Sequence, residues 1–206
     1  MTLFVKLCGV KSEADLEAAV EAGADAVGFV LTPSPRQIPL KVAARLNARL
    51  PESVLGVAVF HDPSPDLLVR AREEVDPDLF QSELSTLVGI STDRLLPVVV
   101  DSESLVRDFA LAAGSAGKEM ILVDSAARGG TGLTSSWDRL ARLDGPGRLI
   151  LAGGLHPDNV GEAVSLIRPF GVDVSSGIEK SPGVKDPKRM RAFVEAARSV
   201  GVGGKA

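Results

Sequence analysis

The sequence predicts an α/β chain folded as a single-domain (β/α)8 TIM barrel. Short apolar runs alternate with amphipathic stretches from end to end, and eight such runs are each followed by a helical pattern. No linker, repeat or low-complexity tract divides the 206 residues. A doubly wound open sheet shares the alternation, but the strand count and the lack of a mid-chain break favour the closed barrel. The domain is expected to span 1–206, with residues from about 200 to 206 as a frayed tail.

The strands are expected at Phe4–Cys8, Ala26–Val30, Val54–Phe60, Leu79–Gln81, Leu95–Val100, Met120–Asp124, Arg148–Leu151 and Val172–Val174. In the first helix Leu16, Ala19 and Val20 begin an apolar stripe, and Ser12 with Asp15 three residues later marks its start. Ser64-Pro65 places proline at the first position of another helix. Val160, Ala163, Val164 and Ile167 repeat at i, i+3, i+4, i+7, as do Met190, Phe193, Val194 and Ala197. The fourth unit reads poorly, because its helix must fit between Leu79 and Leu95 in a stretch interrupted by Gly89. Trp137 is expected to pack the start of the sixth helix.

Hydrophobic residues make up 45% and charged residues 24%, which excludes a disordered chain, collagen and an extended coiled coil. One cysteine excludes a disulfide within the chain, and one Cys with two His argues against a Cys/His zinc site. The net charge of −4, with no block of Lys or Arg, argues against a nucleic-acid partner but leaves room for a local anion site. No apolar run approaches the roughly 18 residues of a membrane span. The N-terminus runs straight into a strand without a signal-peptide pattern, so the expected compartment is the cytoplasm.

In a parallel barrel the site lies at the C-terminal ends of the strands. There the chain offers Cys8-Gly9, Arg36, Gln81, Asp124, Gly153-Gly154 and Ser175-Ser176-Gly177. The glycine turns after strands seven and eight suit phosphate, whose oxygens can approach backbone N–H groups unobstructed by a Cβ; the plain alternative is two tight turns. Alternation puts Phe4, Lys6 and Cys8 on one face of the first strand, so Cys8 should point into the mouth, as a base or nucleophile or as an inert buried thiol. Asp124 follows four apolar residues and is either a solvent-facing strand end or an acid poised for proton donation. Residues 125–136 are glycine-rich and read as a mobile lid or a slack connection. Prolines around Arg36 could hold its guanidinium over the mouth to fork a carboxylate. Lys6 and Asp173 read as a structural ion pair inside the barrel, and His61 as a turn residue.

The motifs Lys-Leu-Cys-Gly-Val, Gly-Phe-Val-Leu-x-Pro-Ser-Pro-Arg, Val-Asp followed by Gly-Gly-Thr-Gly, Leu-Ala-Gly-Gly-Leu-x-Pro-x-Asn-Val, and Val-Asp-Val-Ser-Ser-Gly-Ile-Glu-x-x-Pro-Gly-x-Lys-Asp occur in that order. As an ordered set, from Lys6 to about Phe193, they resemble the phosphoribosylanthranilate isomerases of tryptophan biosynthesis. The resemblance implies an Amadori rearrangement of an aminoaldose phosphate to an aminoketose phosphate, with no cofactor and no metal. It implies Cys8 as general base and Asp124 as general acid. Arg36 and Gln81 would lie on the anthranilate side, and Gly153, Gly154, Ser176 and Gly177 would hold the phosphate. It implies a phosphosugar ligand and a monomer or homodimer. The departure is after Gln81, where the family reads Gln-Leu-His-Gly and this chain has Ser82-Glu83-Leu84. Related phosphosugar barrels fit less well. The histidine-pathway isomerase resembles a pair of carboxylates across the mouth, and indole-glycerol-phosphate synthase calls for a Lys/Glu set not found here. A non-catalytic phosphate-binding barrel draws support only from the altered fourth loop.

Overall fold

Eight parallel strands close on themselves in chain order, with β8 pairing back to β1. The structure is a computed structural model that describes residues 2–87, 94–114, 120–125, 133–143 and 148–200. The strands are β1 (Phe4–Cys8), β2 (Ala26–Val30), β3 (Leu55–Val59), β4 (Leu79–Glu83), β5 (Leu95–Val100), β6 (Met120–Asp124), β7 (Arg148–Ala152) and β8 (Gly171–Val174). The helices between and after them are α1 (Glu13–Glu21), α2 (Leu40–Asn47), α3 (Pro65–Glu74), α4 (Leu84–Leu87), α5 (Leu105–Gly114), α6 (Leu133–Leu140), α7 (Val160–Ile167) and α8 (Pro187–Ser199). A 3-10 turn (Ser176–Ile178) and a small antiparallel pair, β9 (Glu179–Ser181) and β10 (Val184–Lys185), sit between β8 and α8.

Strand alternation divides the core in two. Val5, Leu7, Val27, Phe29, Ile121, Val123, Val172 and Val174 point outward and pack with the helices in one large cluster. Ala26, Val57, Leu96, Leu122, Ile150 and Ala152 point inward and fill the barrel. Phe4 and Phe170 stack at 5.7 Å beside this inner cluster. The expected helix faces are the buried ones: Leu16 and Ala19 in α1, with Val20 only half-buried, Val160, Ala163, Val164 and Ile167 in α7, and Met190, Phe193, Val194 and Ala197 in α8. The caps are also as read. Ser12 Oγ accepts from the Asp15 amide at 3.1 Å, and Ser64 Oγ accepts from the Leu67 amide at 3.2 Å with Pro65 opening α3.

The fourth unit differs from expectation. β4 continues past Gln81 to Glu83, because Ser82 and Glu83 stay in register with Pro97 and Val98 of β5; the ladder overrides their polar composition. The helix that follows is only Leu84–Leu87. Trp137 is buried, but in the second half of α6 rather than at its start. Of the expected lid at 125–136, residues 133–136 belong to α6, and 126–132 lie outside the described residues. The expected frayed tail, beyond Val200, also lies outside them. Among the described residues no helix is long and apolar enough to cross a membrane.

Candidate active site

Cys8 is the last residue of β1 and shares its inward face with Lys6 and Phe4. Lys6 is completely buried, and its Nζ lies 2.8 Å from Asp173 Oδ1 on β8, directly opposite in register. The expected ion pair is therefore present. Gly28 lies opposite Cys8 on β2. A Cβ at Gly28 would sit 2.8 Å from Cys8 Sγ and 3.2 Å from Lys6 Nζ, so the bare backbone there is what lets sulfur and ammonium share one space. Burial pushes the Cys8 thiol up; Lys6 opposes it, Asp173 adds to it, Lys185 opposes it, and the net position is above the usual thiol value. Burial works against the Lys6 ammonium, but Asp173 and Cys8 outweigh it and hold Lys6 above the ordinary lysine range.

Arg36 is neither free in solvent nor held by its loop alone. Its Nε and Nη2 fork Glu179 of β9 at 2.8 and 2.9 Å, while Nη1 has no protein partner among the described residues. Lys185 of β10 completes the clamp, with Nζ 2.9 Å from Glu179 Oε1 and 3.0 Å from the Ser175 carbonyl. Ser175 Oγ in turn donates to the Cys8 carbonyl at 3.2 Å. Burial would raise the Glu179 carboxyl, but hydrogen bonds from Arg36 and Lys185 hold it down to about 2. Burial draws Lys185 below its usual value. Gly9, at φ 81°, makes this closeness possible: a Cβ there would meet Arg36 Cδ at 2.7 Å and both Lys185 Nζ and Ser175 Oγ at 3.2 Å. Glu179 and Lys185 were not picked out as individual site residues by sequence reasoning, although both lie in the last motif quoted, Ile-Glu-x-x-Pro-Gly-x-Lys-Asp.

The expected phosphate residues converge at the ends of β7 and β8. Gly153 and Gly154 both adopt positive φ, 92° and 66°, and a Cβ on Gly154 would meet nothing within 4 Å. A Cβ on Gly177 would fall 1.9 Å from the Leu155 carbonyl oxygen, so the two turns touch backbone to backbone. A cavity of about 610 Å3 opens beside Gly154, Ser176 and Gly177, with Lys188 and Arg189 of α8 on its outer wall. Asn159 secures the first turn, donating to the Gly154 carbonyl at 3.1 Å and accepting from the His156 amide at 2.8 Å. Ser125 Oγ donates to the Ala152 carbonyl at 2.8 Å, tying the end of β6 to the end of β7.

Asp124 ends β6, half-buried, in register with Val100 and Ala152 and on the inward face with Leu122. Gln81 is buried on the inward face of β4, and its Oε1 has no hydrogen-bond partner among the described residues. Glu83, two residues on, meets His61 Nδ1 from the end of β3 and also accepts from Ser82 Oγ at 3.0 Å. Burial raises the Glu83 carboxyl, yet hydrogen bonds from its own backbone amide, from His61 and Ser82 and from the Asp62 amide leave it below its usual value. His61 is thus more than a turn residue: it is the partner of the carboxylate where the fourth loop departs from the family pattern. Val30 and Val59 are half-buried and Val100 is exposed, giving this side of the mouth an apolar wall.

Residues 5–196 match the family model for N-(5'-phosphoribosyl)anthranilate (PRA) isomerase. The chain belongs to this family. The N-(5'-phosphoribosyl)anthranilate isomerase of Citrifermentans bemidjiense is 39% identical over 207 residues, covering 95% of this chain and 97% of the relative. The crystal structure of phosphoribosyl anthranilate isomerase from Thermotoga maritima superposes with a TM-score of 0.81 at 35% identity, over 96% of this chain and 99% of that one. A phosphoribosyl anthranilate isomerase in complex with reduced 1-(o-carboxyphenylamino)-1-deoxyribulose 5-phosphate superposes with a TM-score of 0.76 at 33% identity, over 96% and 99%. Membership makes the chain a tryptophan-biosynthesis isomerase built on a (β/α)8 barrel.

Proposed function

We propose that this chain converts N-(5-phosphoribosyl)anthranilate to 1-(2-carboxyphenylamino)-1-deoxyribulose 5-phosphate, with Asp124 as general acid and Cys8 as general base. The observation that carries the assignment is the order around the rim. Going from β6 through β7 and β8 to β1, the mouth presents Asp124, the Gly153-Gly154 turn, the Ser176-Gly177 turn and Cys8. A phosphate held by the two middle turns leaves the rest of a short sugar between a carboxyl and a sulfur.

Asp124 donates its proton to the ribose ring oxygen, the C1–O bond breaks, and the anthranilate nitrogen stabilises the resulting iminium. The Cys8 thiolate then takes the proton from C2, and the electron pair moves toward C1 and nitrogen to give an enolamine. The C2 hydroxyl loses its proton, C1 gains one, and the aminoketose results. The product keeps the substrate's proton count, and the pair is reset when the proton gained by Cys8 is released and Asp124 takes one up through water, so the rearrangement calls for no co-reactant. Arg36 offers its Nη1 to the anthranilate carboxylate, the valine wall takes the ring, and the Gln81 amide takes a polar contact between them.

Turnover of phosphoribosylanthranilate by the purified chain tests the reaction. Cys8→Ala and Asp124→Ala are each expected to lower kcat about 10²–10⁴-fold with an unchanged circular dichroism spectrum. Near-wild-type rates in both variants refute the acid–base assignment, and anion binding without turnover at any pH refutes the isomerase.

The partner expected from this reading is the small phosphosugar alone. An excess of acids over bases, 27 to 23, favours neither nucleic acid nor an anionic membrane surface. Cytoplasmic residence and a monomeric or homodimeric state complete the reading.

A further inference from the structure

We propose that Lys6 is a positioning residue for the reaction, a buried cation that keeps Cys8 available as the thiolate base, while Asp173 keeps Lys6 charged and fixed beneath it. This rests on Cys8 being the base. The geometry carries it. Lys6 and Cys8 occupy successive inward positions on β1, so the long lysine side chain rises toward the sulfur. Nζ and Sγ lie 3.2 and 2.8 Å from the single point where a Gly28 Cβ would be, and Asp173 Oδ1 meets the same Nζ at 2.8 Å. A lysine needed only to neutralise Asp173 has no reason to lie against the thiol, nor does β2 then need a glycine at that point.

The other charges near Cys8 are already engaged. Lys185 on β10 and Arg36 after β2 both hold Glu179 on β9, and β2 presents only the bare Gly28. Charge counting over the buried trio then sets the signs. With Asp173, Lys6 and a neutral thiol the trio is neutral, and ionising Cys8 leaves it one negative. With Asn at 173 the same ionisation leaves it neutral and becomes easier. Without Lys6 it leaves two buried negative charges and becomes harder.

The chain suits a direct test, because it has one cysteine and no tyrosine, so its far-ultraviolet thiolate absorbance titrates Cys8 alone. Titrating the free enzyme, Asp173→Asn is expected to move the midpoint to lower pH. Lys6→Met is expected to move it to higher pH by at least about one unit, a tenfold loss of thiolate at fixed pH. Because Lys6→Met leaves Asp173 an unpaired buried charge that works against folding, the double variant Lys6→Met/Asp173→Asn, which removes both charges, is titrated beside it, and its midpoint is expected above that of Asp173→Asn. The alkaline rise of kcat/KM should follow the same order. Midpoints that stay at the wild-type value, or that move together in one direction, overturn the proposal. The titration needs no substrate, so a chain that fails to turn over phosphoribosylanthranilate but shows the opposed shifts refutes the reaction and keeps the Lys6–Cys8 coupling.

Discussion

Gly154 and Gly177 lie in neighbouring turns, yet a methyl group added to each meets different surroundings. At Gly154 the space is open and only the positive φ of 66° resists, a cost of about 1–2 kcal/mol for an L-residue. At Gly177 the methyl would fall 1.9 Å from the Leu155 carbonyl oxygen, and backbone is not the flexible end of a side chain. Gly154→Ala is therefore expected to fold with a modest loss of stability and to weaken phosphate binding, because its Cβ would stand in the approach to the turn. Gly177→Ala is expected to lose more stability, about 3 kcal/mol or more, as the ends of β7 and β8 are forced apart. Denaturant melts and calorimetric titration with inorganic phosphate separate the two; equal effects on stability from both variants would contradict the contrast.

The β9–β10 pair shows how much of this protein was open to sequence reasoning and where it stopped. The strands and helices of the barrel announce themselves because burial on a sheet face or helix stripe imposes a period, and Leu16, Ala19, Val160 and Phe193 are buried as that period requires. Ser12 and Ser64 are equally local, since a cap bonds within its own turn. Cys8, Asp124 and the glycine turns could be placed at the mouth because a strand end in a barrel has only one place to be. What sequence could not supply is what depends on partners far along the chain. Nothing local reveals that Glu179 reaches Arg36, 143 positions away, or that Glu83 meets His61 across two strands. β4 likewise runs to Glu83 because of its neighbour, not its composition. The Glu179 clamp carries a pH signature. Its carboxyl is held at about 2 in the folded state, below the ordinary glutamate range of the unfolded chain. The stability it contributes, on the order of 2–3 kcal/mol, is complete above that ordinary range and is lost as pH falls toward about 2. Glu179→Gln should thus be less stable than wild type at neutral pH, and the gap should close between roughly pH 5 and 2. A gap that stays constant through this window would show that Glu179 acts by shape rather than charge.

Barrel closure gives the mouth its polarity. β8 must return to β1 for the sheet to lose its edges, and the seam is marked by Lys6 opposite Asp173. Closure also brings the glycine turns of β7 and β8 beside the end of β1, whereas the valine wall and Gln81 come from the opposite arc, β2 to β5. On the proposed reading, a chain of net charge −4 holds its phosphate in the cavity beside Gly154, Ser176 and Gly177, which Lys188 and Arg189 line together with Asp158. Because the two turns meet only in the folded barrel, a phosphate held by them would bind the native state and not the unfolded chain. Linkage then requires phosphate to stabilise the protein. At about 100 times its dissociation constant the gain is about 2.7 kcal/mol, which for a domain of this size raises Tm by roughly 5–10 °C. Thermal melts in phosphate, compared with chloride at equal ionic strength, measure it, and Gly154→Ala should shrink the rise. An equal rise in both salts would mean general screening of a negatively charged chain, and the mouth would then hold no selective place for a phosphoryl group.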